Sequence, residues 1–376
     1  MNTPSLYLDE GKMPARPGAV PSLDGLRAVS IGLVLLAHFV SNKFPGGLGV
    51  YIFFLISGFL ITRLLFVELK TTGRISLPLF YARRILRLYP VIILFTLLVL
   101  GLAIITGRPY NLIEPASALG YFANYWYAYL ESHNIAPQLP FAMFWSLSIE
   151  EHFYILFPLS FLLLHGRPER LLQVLAGLSV TCLGLRLLGA WWQPEDLGSM
   201  RFYAETQYRL DSIGYGVMLA IACETARGRR FLLELARPAW AAGALTVIFA
   251  CLLIRDPWFR ETLRYTLLGG AISVVLAAVL FGPGYNRVHR LLNTPGLRWV
   301  GRLSYSLYVW HAGVAFFLPS ENWPIWQHAT LGLGLSFLIA AVSYYAVEQP
   351  CLSFRKHFRT PHPIEPAPGF APGVSI

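Results

Sequence analysis

Two ionisable side chains stand at the ends of an otherwise apolar stretch, which reads "LDGLRAVSIGLVLLAHF" over residues 23–39. Arg27 and His38 are eleven residues apart, so an α-helix would place them within about 20° of one face and about 16 Å apart along its axis. Ionisable groups at bilayer depth are costly and usually face a bundle interior or water. We interpret His38 as a general base, since imidazole titrates close to neutral pH. A hydrogen-bonded core histidine is the alternative for His38, and snorkelling to the headgroups is the alternative for Arg27.

A cluster of arginines lies in "YARRILRLYP" at residues 81–90. Arg84 and Arg87 are three residues apart and are therefore neighbours on one helix face, with Arg83 beside them. Arginine side chains bind phosphate groups bidentately. The cluster predicts either a site for the phosphates of a cytoplasmic nucleotide-like donor or an anchor at the cytoplasmic membrane surface, and the spacing favours neither.

Two adjacent carboxylates, Glu150 and Glu151, occur in "WSLSIEEHFY" inside an apolar run. Ser148, Glu151 and His152 share one helix face, because they stand at i, i+3 and i+4. A buried structural network is the alternative, but paired carboxylates inside a membrane helix favour a functional site.

Further polar groups interrupt the later apolar runs. For Arg209 and Asp211 in "YRLDSIGYGVML" we expect a structural ion pair or network before a contact with an acceptor. In "GRLSYSLYVWH", Tyr308 and His311 share one polar face, and His311 either assists His38 or satisfies a core partner. Supporting roles in the site are expected for Tyr51, Ser57, Trp145, Ser148, Arg209, Asp211, Tyr308, His311 and Glu348.

A scaffold of membrane helices is needed to position these side chains. The 376-residue chain is 55% hydrophobic and 13% charged, with a mean hydropathy of +0.53, which excludes an ordinary soluble globular protein. Ten apolar runs are long enough to cross the roughly 30 Å hydrocarbon layer. They cover residues 26–42, 48–67, 88–106, 142–164, 171–190, 208–226, 238–254, 262–281, 303–319 and 328–347. We therefore predict an all-α, polytopic membrane bundle of about ten transmembrane helices.

The distribution of basic residues predicts the topology. With both termini in the cytoplasm, the cytoplasmic segments hold 21 of the 30 Lys and Arg residues, as the positive-inside rule requires. A crossing at 115–130 would reverse every later loop, so we expect 107–141 to be an outer loop, interfacial or re-entrant. The predicted organisation is a cytoplasmic segment at 1–22, a membrane domain at 23–350 and a disordered cytoplasmic tail at 351–376.

Several other functions are disfavoured. The net charge of +10 suggests nucleic acid, but the basic residues lie between apolar runs and form no stripe, so we expect contacts with membrane lipids instead. Cys182, Cys223, Cys251 and Cys351 are scattered and predict neither a disulfide framework nor a metal site. No zinc-binding spacing, Walker or dinucleotide loop, or serine-hydrolase elbow is present in the sequence.

Taken in order, seven motifs resemble those of the acyltransferase 3 family of membrane O-acyltransferases. They are "LDGLRAVSIGLVLLAHF", "GVYIFFLISGFLIT", "YARRILRLYP", "WSLSIEEHFY", "YRLDSIGYG", "GRLSYSLYVWH" and "VEQP", and they extend from residue 23 to about residue 350. The resemblance implies a ten-helix membrane domain, in agreement with the count of apolar runs. It also implies transfer of an acyl group, often acetyl, from cytoplasmic acyl-CoA to a hydroxyl, commonly of a cell-surface or exported glycan.

The resemblance also assigns residues. The essential arginine and histidine of the family fall on Arg27 and His38, and its arginine pair falls on Arg84 and Arg87. Its motif carboxylate falls on Glu150 and Glu151. Acyl-CoA, expected as acetyl-CoA, is then a co-substrate, with no permanently bound cofactor.

One departure from the family concerns Tyr51, where many members have Asp. If that Asp orients the catalytic histidine, another acid must do so in this chain, and Glu151 is our candidate. We further expect no fused periplasmic esterase-like domain. The working hypothesis has Arg84 and Arg87, together with Arg27, holding the donor phosphates while the acceptor hydroxyl is deprotonated at His38.

Alternatives remain at this point. A covalent acyl-histidine could replace direct transfer, and a proton-coupled transporter or flippase of a glycan or lipid-linked sugar is the alternative function. Lipopolysaccharide, exopolysaccharide, peptidoglycan, a lipid-linked sugar and a macrolide-like molecule are all open as acceptors, and the sequence gives no oligomeric state. The expected location is the inner membrane of a bacterium.

Overall fold

The computed structural model describes residue 20 and residues 22–318 and 323–358. Within these ranges the chain is all-helical and contains no strand, which confirms the all-α part of the predicted fold class. The predicted N-terminal segment, apart from residues 20 and 22, and the tail beyond residue 358 lie outside the described residues.

The helices follow one another with short connections. In chain order they are α1 (Leu23–Phe39), α2 (Gly46–Thr72), α3 (Leu77–Ile105), α4 (Ile113–Leu119), α5 (Ala123–Ser132), α6 (Phe144–Leu163), α7 (Pro168–Trp192), α8 (Met200–Ala204), α9 (Thr206–Ala222), α10 (Ala226–Leu235), α11 (Pro238–Leu253), α12 (Pro257–Glu261), α13 (Leu263–Phe281), α14 (Asn286–Leu292), α15 (Pro295–Phe317), α16 (Ile325–Ser343) and α17 (Gln349–Ser353). Single 3-10 turns occur at Pro194–Asp196 and Phe354–Phe358, and a π-helical turn occurs at Tyr344–Glu348.

Each of the ten predicted apolar runs falls on one of these helices. Among the described residues, five helices (α2, α3, α7, α13 and α16 with its extension) are long and apolar enough to cross a membrane, and α10 with α11 would add a sixth as one span bent by 69°. The others include α1 and α9, which have 17 residues each and therefore extend only about 26 Å. Ten crossings and cytoplasmic termini stay predictions.

The aromatic stretch at 115–130 is divided between two short helices, α4 and α5, which have 7 and 10 residues. Neither reaches the length of a membrane span, because they extend only about 10 and 15 Å. Glu114 holds this region together: its carboxylate accepts hydrogen bonds from the Tyr127 hydroxyl (2.8 Å) and from the backbone N–H groups of Gln138 (2.8 Å) and Leu139 (3.0 Å). The predicted outer loop is therefore a folded segment.

Close helix packing explains the glycine in the middle of α2. A Cβ atom on Gly58 would collide with the carbonyl oxygen of Ile213 in α9, and a Cβ atom on Gly216 would collide with the carbonyl oxygen of Leu55. Two glycines thus let α2 and α9 approach backbone to backbone, as small residues do in membrane bundles.

The π-helical turn before Pro350 sets the position of Glu348. Glu348 is buried there, and its carboxylate accepts a hydrogen bond from Ser306 in α15 (2.7 Å). A π-helical turn rotates the residues after it relative to a continuous α-helix. Glu348 therefore ties the end of the α16 extension to α15.

Candidate acyl-transfer site

A cavity with an empty volume of about 830 Å³ lies among α1, α2, α3, α6 and α15. Apolar side chains of α2 form much of its wall, and the other helices contribute most of its polar side chains. The polar and aromatic-hydroxyl lining consists of Arg27, Ser57, Arg84, Arg87, Ser146, Glu150, Tyr154, Ser304, Tyr305 and Tyr308.

Three of the four predicted donor-binding arginines meet in this cavity: Arg27, Arg84 and Arg87. Arg83 does not line it. Its guanidinium forms an ion pair with Glu68 of α2 (2.8 Å) and donates to the carbonyl oxygen of Phe358 (2.8 Å). The expectation that Arg83 belongs to the donor site is therefore corrected: it fastens α3 to its neighbours.

The adjacent carboxylates have separate partners. The Arg84 guanidinium donates to Glu151 Oε1 from Nη2 (2.6 Å) and Nε (3.2 Å), and it also lies 3.4 Å from the centre of the Tyr154 ring. Glu150 Oε2 instead accepts a hydrogen bond from Ser57 (3.2 Å), whose hydroxyl is also in close contact with the Tyr154 hydroxyl. Residues one position apart on a helix point about 100° apart, which explains the separation.

The arginines of the cavity consequently differ in free charge. Arg84 is neutralised by Glu151, whereas no carboxylate lies within ion-pair distance of Arg27 or Arg87 among the residues that the structure describes. These two guanidiniums have no close ion-pair partner, although the buried Glu348 carboxylate acts on both electrostatically from a greater distance. An anion entering the cavity would be attracted to them first.

A pair of histidines lies beyond the cavity. The rings of His38 and His311 meet edge to face with their centres 4.9 Å apart. His38 Nδ1 is 2.8 Å from the carbonyl oxygen of Val34, and His311 Nδ1 is 2.6 Å from that of Tyr308. Because a carbonyl oxygen only accepts, both Nδ1 atoms carry a proton, so in the neutral form of each ring Nε2 is the nitrogen with the lone pair.

The two histidines differ in their surroundings. His38 is exposed at the end of α1, whereas His311 is fully buried and its Nε2 has no hydrogen-bond partner in the described part of the chain. The hypothesis that Glu151 orients His38 is wrong, since the carbonyl of Val34 fixes the tautomer and Glu151 is engaged by Arg84. A neutral His38 with Nε2 free has the form that a general base requires.

Tyr308 separates the cavity from the histidines. It lines the cavity, its ring centre is 5.4 Å from that of His311, and its hydroxyl is hydrogen-bonded to Ser146 (2.6 Å) and to the carbonyl oxygen of Met143 (3.0 Å). Phe53 also contacts Tyr308, with ring centres 6.5 Å apart. Tyr308 therefore contacts both the cavity and His311, and His311 in turn contacts His38.

The expected ion pair between Arg209 and Asp211 is absent, because Asp211 pairs with Arg186 instead. Arg186 Nη1 and Nη2 donate to the two carboxylate oxygens of Asp211 at 3.1 and 2.8 Å, and both side chains are 0% exposed. The sequence analysis did not single out Arg186, although an arginine within the apolar run 171–190 indicates a buried polar contact. The expected structural network exists with a different partner.

Arg209 is surrounded by aromatic rings. Its guanidinium carbon lies 4.0 Å from the centre of the Tyr265 ring and between 5.4 and 5.7 Å from those of Tyr51, Trp145 and Tyr203. It donates to the carbonyl oxygen of Tyr203 (2.7 Å). Trp145 is thus one of the aromatic rings that surround Arg209 and stabilise its charge by cation–π contacts.

These rings around Arg209 account for the departure at Tyr51. The Tyr51 hydroxyl donates to the carbonyl oxygen of Tyr265 (2.6 Å), and the ring faces Arg209 rather than His38. In this chain an aromatic ring therefore stands beside the buried arginine at the position where an Asp was expected. No substitute acid for orienting His38 is required.

The remaining predicted face, formed by Ser148, Glu151 and His152, does not act as one unit. Ser148 is buried and donates to the carbonyl oxygen of Phe144 in its own helix (3.0 Å), which is a structural contact. His152 Nδ1 is 2.6 Å from the hydroxyl of Thr206 at the start of α9. The three side chains share a helix face, but each has a different hydrogen-bond partner.

Comparison with known proteins assigns the chain to a family. The family model described as an acyltransferase domain matches residues 20–345. The chain belongs to the acyltransferase 3 family. This membership and the apolar helices together identify an integral membrane protein.

Relatives with names include two O-acetyltransferases called OatA from Staphylococcus aureus, of strains NCTC 8325 and COL. Each is 31% identical to this chain over 360 residues. The matched region covers 89% of this chain but only 57% of each relative, so the chain spans a little over half their length. No solved structure matches the chain.

Proposed function

We propose that this acyltransferase 3 chain transfers an acetyl group from cytoplasmic acyl-CoA to a hydroxyl of a glycan or glycoconjugate. The observation that carries the proposal is a series of contacts: a cavity lined by Arg27 and Arg87, neither in an ion pair, is lined also by Tyr308, whose ring contacts His311, and the His311 ring contacts His38. Family membership and the names of the relatives support acetyl as the group transferred.

Donor binding follows from the charge of the cavity. The phosphates of acyl-CoA would be held by Arg27 and Arg87, since Arg84 is already paired with Glu151. The narrow pantetheine arm would extend along the apolar wall formed by α2. Ser57 and Glu150 offer a hydrogen-bond donor and an acceptor to the amides of that arm.

The chemical step uses His38 as a general base. Its Nε2 takes the proton of the acceptor hydroxyl while the hydroxyl oxygen forms an ester bond to the acyl carbon. The carbon–sulfur bond of the thioester breaks, and the proton held on His38 passes to the departing CoA thiolate. His311 lies between His38 and Tyr308 and presents a second imidazole lone pair to the same space.

The thioester must pass Tyr308 to reach the histidines. Neither histidine lines the cavity, whereas Tyr308 and Phe53 do. We infer that the Tyr308 side chain moves when the donor binds and exchanges its hydrogen bonds to Ser146 and Met143. Such a side-chain gate keeps water and competing nucleophiles from the thioester before an acceptor is present.

Ten crossings with both termini in the cytoplasm, in the inner membrane of a bacterium, belong to the same proposal. This topology puts the arginine cavity on the cytoplasmic side, where acyl-CoA is made, and His38 near the outer side. Single-cysteine labelling with a membrane-impermeant maleimide tests it. Labelling of a cysteine at position 43 from outside the cell, and of one at position 74 only after lysis, is the expected pattern.

The activity itself is tested with the purified chain in lipid vesicles. Radiolabelled acetyl-CoA and a pool of bacterial surface glycans are supplied, and we expect alkali-labile label to appear on glycan. Movement of glycan or lipid-linked sugar across the vesicle membrane without ester formation would contradict the proposal and favour the transporter.

A further inference from the structure

A second cavity, outside the donor path, lies among α3, α15 and α16 and has an empty volume of about 660 Å³. All its lining side chains are apolar or aromatic, among them Leu98, Leu102, Trp310, Phe317 and Leu335. Leu98 and Leu102 are 54% and 40% exposed, so the groove opens on the surface of the bundle. In a membrane such a groove faces hydrocarbon and accepts a hydrocarbon chain without loss of polar contacts.

A cation stands at one end of this groove. Arg108 follows the end of α3, and its guanidinium carbon lies 5.4 Å from the ring centre of Phe317 and 5.8 Å from that of Phe316. Arg108 is exposed, and no carboxylate pairs with it in the described part of the chain. The two rings hold the positive charge over the mouth of the groove, where a phosphate-bearing lipid head would lie.

The groove adjoins the histidine pair. Trp310 of its wall directly precedes His311, so the groove and the histidines occupy two sides of α15. Helix α16 supplies Leu335 to the groove, and its outer part contacts the residue after His38: His328 Nδ1 is 3.2 Å from the carbonyl oxygen of Phe39. The two helices that form one side of the groove, α15 and α16, are therefore also the helices that contact the end of α1 at His38 and Phe39.

We propose that this groove binds the hydrocarbon chain of a lipid-linked glycan, whose phosphate contacts Arg108 and whose sugar is the acceptor. This inference rests on the proposed acyl transfer and names the class of acceptor: a glycan joined through phosphate to a polyprenyl chain. Anchoring of the lipid raises the local concentration of the sugar hydroxyl at His38, and orientation by Arg108 limits which hydroxyl is reached.

The test uses photolabelling of the protein in nanodiscs by a diazirine-bearing polyprenyl phosphate. We expect labelled peptides from α3 and α15. Leu335→Trp fills the groove and should reduce labelling to background. Leu338→Trp is the matched control, because Leu338 is in the same helix, is 61% exposed and lies outside the groove.

The charge is tested in the same assay. Arg108→Ala should weaken labelling about tenfold, as loss of one charge-assisted contact to phosphate would. Arg255→Ala, at another exposed arginine, should leave labelling unchanged. Equal labelling of the Leu335→Trp and Leu338→Trp proteins, or equal labelling by phosphatidylcholine or phosphatidylglycerol probes, would overturn the inference.

Acetyl transfer is measured in parallel on a lipid-linked oligosaccharide. We expect Leu335→Trp to lower transfer in step with labelling. Wild-type protein that transfers no acetyl group contradicts the proposed function. Retained transfer by Leu335→Trp protein overturns the lipid site alone, so the two failures are distinguishable.

Discussion

The buried ion pair between Arg186 and Asp211 leads to a prediction about stability. Both side chains are 0% exposed, and the Arg186 guanidinium also donates to the carbonyl oxygen of Tyr208 (2.6 Å) and to the Thr266 hydroxyl (2.7 Å). The pair therefore joins α7, α9 and α13. Asp211→Asn keeps the shape of the side chain but leaves a buried guanidinium without its counter-charge.

Removal of one partner from a buried pair costs about 3–5 kcal/mol, because the remaining charge stays desolvated. We take the lower part of this range, about 3 kcal/mol, since Tyr208 and Thr266 still accept hydrogen bonds from Arg186 and Asn retains one acceptor oxygen. Replacement of both partners by leucine removes both charges and should restore most of the stability.

The assay is thermal unfolding in detergent, followed by tryptophan fluorescence. Asp211→Asn should lower the Tm by several degrees, and Arg186→Leu with Asp211→Leu should lie closer to the wild-type Tm than either single variant. Arg201→Leu is the control, because its ion pair with Asp196 is 39% and 30% exposed and contributes little. A wild-type Tm for Asp211→Asn, or a double variant as unstable as the sum of the single ones, would refute the reasoning.

Three further predictions concern single residues. Glu151→Gln removes the counter-charge of Arg84, so it should lower the Tm and alter donor binding, but it should leave the pH profile of kcat unchanged. A loss of about 10⁴ in kcat, as when the acid of a catalytic triad is replaced, would show that Glu151 is the partner of His38 after all. Arg87→Leu should raise the KM for acetyl-CoA about tenfold with little change in kcat. Arg74→Leu, at an exposed arginine, should leave the KM unchanged, and equal effects of the two substitutions would contradict the donor site. Burial lowers the pKa of His289, so the unfolded chain binds a proton at a higher pH than the folded chain does. The free energy of unfolding should therefore fall as the pH decreases through the ordinary histidine range. Urea titrations in which the His289→Gln protein shows the same dependence of this free energy on pH would contradict the prediction.

The sequence predicted the positions of the helices, because apolar runs and their polar breaks are local signals. The three arginines that it grouped as a donor site, Arg27, Arg84 and Arg87, line one cavity, as expected of ionisable groups that face inward in membrane helices, and their role in donor binding stays a proposal. The sequence could not predict that Glu150 and Glu151 have different partners. Their roles depend on the rotation of α6 against α2 and α3, which is set by packing contacts distant in the chain.

Tertiary pairing also explains what was missed. His38 and His311 are 273 positions apart, and their contact exists only because α1 packs along α15. The polar face of α15 suggested a role for His311, but the free Nε2 atoms became visible only with the backbone carbonyls that hold each Nδ1. Arg186 was identifiable from the sequence, whereas the pairing of Asp211 with Arg186 instead of Arg209 was not.

The central claim is that His38 acts as the base, and one comparison tests it most directly. His38→Ala and His133→Ala proteins are reconstituted side by side, and CoA release from acetyl-CoA is measured with glycan present. His133 is a matched control, because it is exposed and its Nδ1 also lies near a carbonyl oxygen four residues earlier, that of Tyr129 (2.9 Å). The account predicts a loss of about a hundredfold or more for His38→Ala and wild-type rates for His133→Ala. Wild-type rates for His38→Ala protein would contradict it.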